Sequence, residues 1–108
     1  MKIVYIASPY AGDTEANTEK AIDYCAFAVS RGVLPLAPHL LFPLFLDEDD
    51  IEQRELGLSF GITLLDKCDE LWVCGDEVSK GMAAEIKTAQ EIGIPIKYFS
   101  RQEAMACP

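Results

Sequence analysis

Residues 70–99 read "ELWVCGDEVSKGMAAEIKTAQEIGIPIKYF" and predict a strand, a helix and a second strand. Residues 70–75 are a short apolar run, residues 79–92 have apolar positions at helical spacing, and residues 94–100 are again apolar and β-branched. Gly93 lies where a helix commonly ends in a left-handed residue. A strand, a helix and a strand in this order form a parallel pair with a right-handed crossover. The stretch therefore predicts an α/β fold.

The chain before this unit repeats the same pattern. We expect a first strand at residues 2–8, a helix at residues 13–31, a second strand at residues 33–38 and a second long helix at residues 51–68. Pro35 favours an edge position for the second strand. Gly57 and Gly61 weaken the second helix and allow close packing. Residues 101–108 are expected to be a short tail.

These elements predict one domain over residues 1–108. The fold class expected is a flavodoxin-like three-layer α/β sandwich, with a four-stranded parallel sheet in the order 2-1-3-4 and helices on both faces. Ligands of such sheets bind beyond the carboxyl ends of the strands, where the strand order reverses. Residues 8–13, "SPYAGD", and residues 75–82, "GDEVSKGM", should therefore border one crevice.

Composition narrows the possible partners. The formal net charge is -9 for 108 residues, which disfavours a nucleic-acid polymer or an anionic membrane as partner but permits a small anion held locally. No apolar run approaches the roughly 20 residues of a membrane span. The four cysteines form no CxxC pair and His39 is the single histidine, so we expect no metal, no cofactor and reduced thiols in a cytoplasmic protein.

The third predicted helix carries two residues, Ser79 and Glu85, that could have either a structural or a functional role. Ser79 is a natural N-cap, and the free N–H groups beyond it, with Gly81 allowing close approach, also suit a phosphate. Glu85 lies beside Ala89 at the edge of an apolar stripe on the helical wheel. From spacing alone, Glu85 is either an ordinary flank residue that reaches water or pairs with Lys80, or a functional carboxylate.

Two stretches, "YIASPYAG" and "CDELWVCGDEVSKGMAAEIKTAQEIGIPI", resemble the nucleoside 2-deoxyribosyltransferase superfamily, which includes the 2′-deoxynucleoside 5′-phosphate N-hydrolases. A short uncharacterised branch of the superfamily is the most similar. The resemblance implies that Glu85 is the nucleophile that attacks the anomeric carbon, with Asp69 and Tyr10 also catalytic. Ser79 stands where the transferases carry an aspartate and the 5′-phosphate hydrolases a phosphate-binding serine, which implies a phosphorylated substrate.

The resemblance and the predicted crevice together define the remaining expected site. Each residue also has a structural interpretation: a strand-start cap for Asp69, a loop aromatic for Tyr10, a structural role for His39, and a solvated loop for Asp76. Arg54 is a candidate phosphate ligand or a partner for nearby acids. The expected substrate-binding residues are Ser8, Pro9, Ala11, Gly12, His39, Asp76, Ser79, Gly81 and Met82.

The sequence therefore predicts an enzyme that cleaves or transfers the N-glycosidic bond of a nucleotide or deoxynucleotide. The alternative is a non-catalytic module that binds a nucleotide-derived small molecule. The segment "HLLFPLFL", residues 39–46, is unusually apolar for a loop, so we also expect a homo-oligomer, a dimer or larger, that covers it together with the second helix.

Overall fold

The computed structural model describes residues 1–106. The strands and helices are β1 (Ile3–Ala7), α1 (Thr14–Ser30), β2 (Leu34–Leu36), α2 (Ile51–Lys67), β3 (Glu70–Cys74), α3 (Lys80–Ile92), β4 (Ile96–Phe99) and α4 (Arg101–Met105). The strands form a four-stranded parallel sheet in the order β2-β1-β3-β4, which confirms the predicted topology. Two 3₁₀ turns, Pro38–Leu40 and Phe42–Leu44, follow β2.

Alternation along β1 divides the core into two layers. Val4 and Ile6 pack with α1 and α4 on one face of the sheet. Tyr5 and Ala7 face the opposite layer, formed by α2 and α3. Successive side chains of a strand point to opposite faces, so the period-2 pattern decides which helices each residue meets. Tyr5 is paired through its backbone with Leu36 and Leu71 on either side, which fixes its position in the sheet.

Short polar side chains set where the helices begin. The Asp50 carboxylate accepts hydrogen bonds from Glu52 N and Gln53 N at the start of α2, and Ser79 Oγ accepts from Met82 N at the start of α3. These caps satisfy N–H groups that have no partner within the helix. The predicted N-cap role of Ser79 is confirmed, and Gly93 ends α3 with a φ of 82°. The predicted helix boundaries hold to within one residue.

The segment expected to be a tail is instead largely a helix. Ser100 and Glu103 form a capping box, in which each side chain accepts a hydrogen bond from the other residue's backbone N–H. The sequence carried this signal in the pattern Ser-x-x-Glu. Ala104 is buried against the α1 side of the sheet, and Arg101 donates a hydrogen bond to Asp23 at 2.9 Å. Cys107 and Pro108 lie outside the described residues.

A charged cluster occupies the amino end of the sheet. The Glu70 carboxylate, 4% exposed, accepts hydrogen bonds from Lys2 Nζ at 2.7 Å and Trp72 Nε1 at 2.9 Å, and lies 3.4 Å from Lys97 Nζ. These donors hold the pKa of Glu70 at about 2. Buried carboxylates persist when they are paired in this way.

Across residues 1–106, no helix combines the length and the apolar character needed to cross a bilayer.

Candidate active site

A cavity of about 340 Å³ lies on the α2 and α3 side of the sheet. Its walls come from one face of each helix, from the two 3₁₀ turns and from β1. Most of the wall is apolar, as is usual for pockets that enclose a small organic ligand. The apolar wall comprises Pro38, Phe42, Pro43, Leu46, Leu58, Ile62, Leu65 and Ala84.

Glu85 presents the chemically distinctive group of this cavity. It lies in the second turn of α3 on the face that meets α2, and its Oε1 atom is buried without a hydrogen-bond partner. Burial raises the pKa of Glu85 to about 7 because the carboxylate loses water. Such an unsatisfied buried oxygen costs free energy, so its presence in a cavity is typical of a functional carboxyl group.

The Tyr5 hydroxyl is the polar group of the fold that acts on Glu85. The nearby Tyr5 hydroxyl lowers the pKa of Glu85 and so opposes part of the effect of burial. Burial and the neighbouring Glu85 both raise the pKa of Tyr5, which therefore stays a protonated hydroxyl. A neutral hydroxyl beside a carboxylate can orient it without taking its charge.

His39 and Tyr10 form a stacked pair at the edge of the cavity. Their ring centroids are 4.7 Å apart with an interplanar angle of 14°. His39 lines the cavity, whereas Tyr10 lines an adjoining shallow groove bordered by Phe45, Asp47 and Asp49. Burial lowers the pKa of His39, so the imidazole is neutral near pH 7. The stacked rings therefore bring the loop after β1, which carries Tyr10, into contact with the segment after β2, which carries His39.

Three polar side chains of α2 and the loop before it complete the wall. Arg54 and Gln53 lie on the first turns of α2, and Glu48 precedes them. Gln53 accepts a hydrogen bond from Asp47 N at 2.7 Å, which ties the loop to the helix. Among the described residues that line the cavity, Arg54 is the one cation, so any ligand anion would meet it there.

The start of α3 reaches the cavity at one residue. Gly81 lines it, whereas Ser79 Oγ is engaged as the N-cap acceptor of Met82 N at 3.2 Å. Met82 is buried in the core and its sulfur accepts a hydrogen bond from Ser79 N at 3.4 Å. Met82 therefore stabilises the start of α3 from the core side and does not face the cavity.

The structure brings only part of the expected site together. Glu85, His39 and Gly81 share the cavity, and Tyr10 adjoins it through its stacked ring. The Asp69 carboxylate accepts a hydrogen bond from Ile3 N at 2.8 Å at the amino end of β3, so it faces away from the carboxyl edge.

The loop after β1 and Asp76 also stand apart from the cavity wall. Ser8 is buried, and Ala11 and Gly12 are exposed. Asn17 Nδ2 donates to the carbonyl oxygens of Tyr10 and Ala11, which holds this loop against α1. Asp76 accepts a hydrogen bond from Arg101 N at 3.1 Å and so connects the loop after β3 to α4. Pro9 packs beside Gly75, where a Cβ would lie 3.7 Å from Pro9 Cδ.

Sequence reasoning missed Tyr5 and Glu48 as site residues. Tyr5 looked like an ordinary strand aromatic within "KIVYIAS", and its alternation with Val4 and Ile6 was the available signal. That alternation separates two faces but does not identify which face carries α3. Glu48 belonged to an acidic run that is usually a solvated loop, and no local pattern connects it to a cavity.

Comparison with solved structures identifies the fold. The 2-deoxyribosyltransferase of Bacillus psychrosaccharolyticus, described as a biocatalyst for nucleoside synthesis, superposes with a TM-score of 0.72 at 20% identity, covering 91% of this chain and 72% of that chain. The 2-desoxiribosyltransferase of Leishmania mexicana gives a TM-score of 0.65 at 22% identity, covering 93% of this chain and 65% of that chain. The chain thus spans under two thirds of the second protein's length.

Comparison of sequences gives the family. No curated protein matches the sequence. A family model described as a domain of unknown function (DUF7768) matches residues 2–99. The similarity noted from the motifs is confirmed as a common fold. The chain belongs to the DUF7768 family and has the fold of the 2-deoxyribosyltransferases.

Proposed function

We propose that the chain cleaves or transfers the N-glycosidic bond of a nucleotide or deoxynucleotide, with Glu85 as the nucleophile. The observation that carries this proposal is the Oε1 atom of Glu85, which is buried without a hydrogen-bond partner in the wall of an apolar cavity. A carboxylate in that setting can face the anomeric carbon of a sugar as positive charge develops there. The two structural neighbours are named as enzymes of deoxyribosyl transfer, which supports the same class of chemistry.

The reaction would proceed in two displacements at the anomeric carbon. A carboxylate oxygen of Glu85 forms a bond to this carbon while the bond to the base nitrogen breaks, and the base leaves with the electron pair and takes up a proton from water. Water then attacks the anomeric carbon while its bond to the Glu85 oxygen breaks, which restores the carboxylate, releases a proton and gives hydrolysis. If a second base attacks the same carbon instead, the result is transfer. The Tyr5 hydroxyl orients the carboxylate, and the largely apolar wall surrounds the reacting atoms.

The remaining cavity groups would hold the substrate. The stacked His39 and Tyr10 rings lie at the edge where a planar base could be contacted. Gly81 at the start of α3 and Arg54 on α2 are the groups that suit a phosphate, which supports the preference for a nucleotide. In this proposal Asp69 has a structural role at the far end of the sheet.

The test is release of free base from a panel of nucleosides, deoxynucleosides and their 5′-phosphates. The wild-type chain is expected to release base from at least one of them, and Glu85→Gln is expected to lose 100-fold or more of that rate, on the order of the effect of removing a catalytic group. Val29→Gln, an exposed change on α1, serves as the control. Equal rates for Glu85→Gln and the wild type would refute the proposal.

A binding module is the second candidate. It is favoured by one observation, that Asp69 does not reach the cavity and leaves no second buried carboxylate beside Glu85 among the lining residues. Calorimetry with the same panel separates the two: a ligand that binds and is recovered intact supports the module. Accumulation of free base supports the enzyme.

We also propose that the chain forms a homo-oligomer. Apolar side chains stand exposed on α2 and on the second 3₁₀ turn, among them Leu44 at 79% and Ile51 at 65%. Exposed apolar groups gathered on one side of a small domain are typical of an interface between subunits.

A further inference from the structure

We propose that Gly61 of α2 is a positioning residue that holds the Tyr5 hydroxyl against Glu85. Its lack of a side chain lets the helix close over the hydroxyl, and the hydroxyl in turn orients the carboxyl group. The catalytic meaning of this arrangement rests on the proposed function. The arrangement of Gly61, the Tyr5 hydroxyl and the Glu85 carboxyl group can be tested without measuring turnover.

The contact between α2 and Tyr5 is tight at this one position. A Cβ placed on Gly61 would lie 3.3 Å from the Tyr5 hydroxyl oxygen, closer than nine in ten real contacts of a Cβ. Nothing about the backbone of Gly61 requires glycine, because it lies within the helix and has no positive φ. A glycine inside a helix costs about 1 kcal/mol relative to alanine. The space beside Tyr5 is therefore the physical reason for glycine here.

Tyr5 cannot easily yield to an added methyl group. Its backbone is paired with neighbouring strands on both sides, and its side chain is 2% exposed within the α2 and α3 layer. The part of the side chain that can move is its hydroxyl end, by a tilt of the ring. That end is the part that interacts with Glu85, so a push from position 61 separates the two groups.

Gly57 provides a matched comparison on the same helix. It lies one turn before Gly61 and lines the same cavity, but a Cβ there would meet only the Leu46 Cδ1 atom, at 3.4 Å. That atom is the free end of a flexible side chain. Alanine at either position adds one methyl group and improves helix propensity equally. The two substitutions therefore differ in whether they press on Tyr5.

The experiment follows the titration of the Glu85 carboxyl carbon by NMR, with the signal assigned from its loss in Glu85→Gln. The other titratable or charged groups that line the cavity are Tyr5, His39, Glu48 and Arg54; His39 is followed separately by its ring protons. The wild-type midpoint is expected near pH 7. Gly61→Ala is expected to raise it by up to about one unit, because the carboxylate loses a donor, and Gly57→Ala to leave it unchanged.

A double-mutant cycle tests whether Gly61 acts through the hydroxyl. Tyr5→Phe removes only the hydroxyl and is expected to raise the Glu85 midpoint, and Gly61→Ala added to Tyr5→Phe is expected to change it no further. An unshifted or lowered midpoint in Gly61→Ala, or additive shifts in the double variant, would overturn the inference. A lowered midpoint would mean that α2 had moved outward and admitted water. The cycle measures the titration midpoint of Glu85 and does not depend on release of base. A failed inference about Gly61 can therefore be told apart from a failed proposal of enzyme activity.

Discussion

At the scale of single residues, Glu85 shows how a side chain can work against the stability of its own fold. The free energy of unfolding falls when a carboxyl group must ionise in a site without water or a full set of donors. The Tyr5 hydroxyl favours the ionised form of Glu85, but Oε1 has no hydrogen-bond partner. Residues retained at such a cost are characteristic of functional sites, where stability and activity are in tension.

Because the ionised Glu85 carboxylate destabilises the fold, replacing it is expected to raise the free energy of unfolding by an amount that depends on pH. The pKa of Glu85 is raised to about 7 in the folded chain from its ordinary value of 4.5. Below pH 4.5 the group is neutral in both states, and stability falls as pH rises from 4.5 to about 7, because the unfolded chain ionises first. Glu85→Gln is therefore expected to stabilise the chain by about 1 to 3 kcal/mol at pH 8 and by much less at pH 4.5. Urea unfolding at the two pH values measures this, and a pH-independent difference would contradict it.

At the scale of elements, β3 joins two sites of opposite character. Its first residue, Glu70, is a carboxylate with three donors around it at the amino end of the sheet. Its carboxyl end leads into the loop before α3, which carries Glu85. The same residue type is thus stabilised as an anion at the start of β3 and disfavoured as an anion in the helix that follows β3.

The Glu70 cluster is expected to make the free energy of unfolding fall in acid, whereas Glu85 makes it fall as pH rises. The pKa of Glu70 is about 2 in the folded chain, below its ordinary value of 4.5, so its stabilising effect is present above pH 4.5 and is lost as pH falls towards 2. The expected loss is about 2 to 3 kcal/mol. Thermal unfolding across this range should show a steep decline in wild type and a shallower one in Glu70→Gln, which starts from lower stability. If wild type and Glu70→Gln lost stability equally as pH fell, the stabilising role of the ionised Glu70 carboxylate would be contradicted.

The elements were more predictable from sequence than the site. Strand order followed from the alternation of apolar runs and helical stretches, and Ser79 and Gly93 marked the ends of α3 through local chemistry alone. The cavity depends on which side of the sheet each helix covers and on how closely α2 approaches β1, and neither is encoded in local spacing. Asp69 illustrates the limit: the aspartate that opens a strand lies by necessity at the end of the sheet opposite the predicted crevice.

At the scale of the whole molecule, the apolar surface is unevenly distributed. Leu44 and Phe45 on the 3₁₀ side and Leu56 and Phe60 on α2 are all exposed in the single chain. The outer side of the same elements is therefore available to a second copy, while their inner side encloses the cavity.

The proposed oligomer is tested by placing a charge on this surface. Leu44→Glu is expected to convert the assembly to monomers in sedimentation at micromolar concentration, because a carboxylate would have to be buried at the interface. Val29→Glu provides the control, since Val29 is also exposed, at 62%, but lies on α1 across the sheet. A wild-type chain that sediments as a monomer would refute the proposal, and so would assemblies that survive Leu44→Glu intact.

The separation of the Glu70 cluster from the cavity has a consequence for how this fold can diversify. The side chains that shape the cavity, such as Phe42 and Leu58, belong to elements that contribute no residue to the ion pairs of that cluster. Substitutions there can alter ligand choice while the anchoring charges at the other end remain intact. One ancestral scaffold of this kind could therefore give rise to receptors for many different small molecules, each reached by a few changes in α2 and the turns before it.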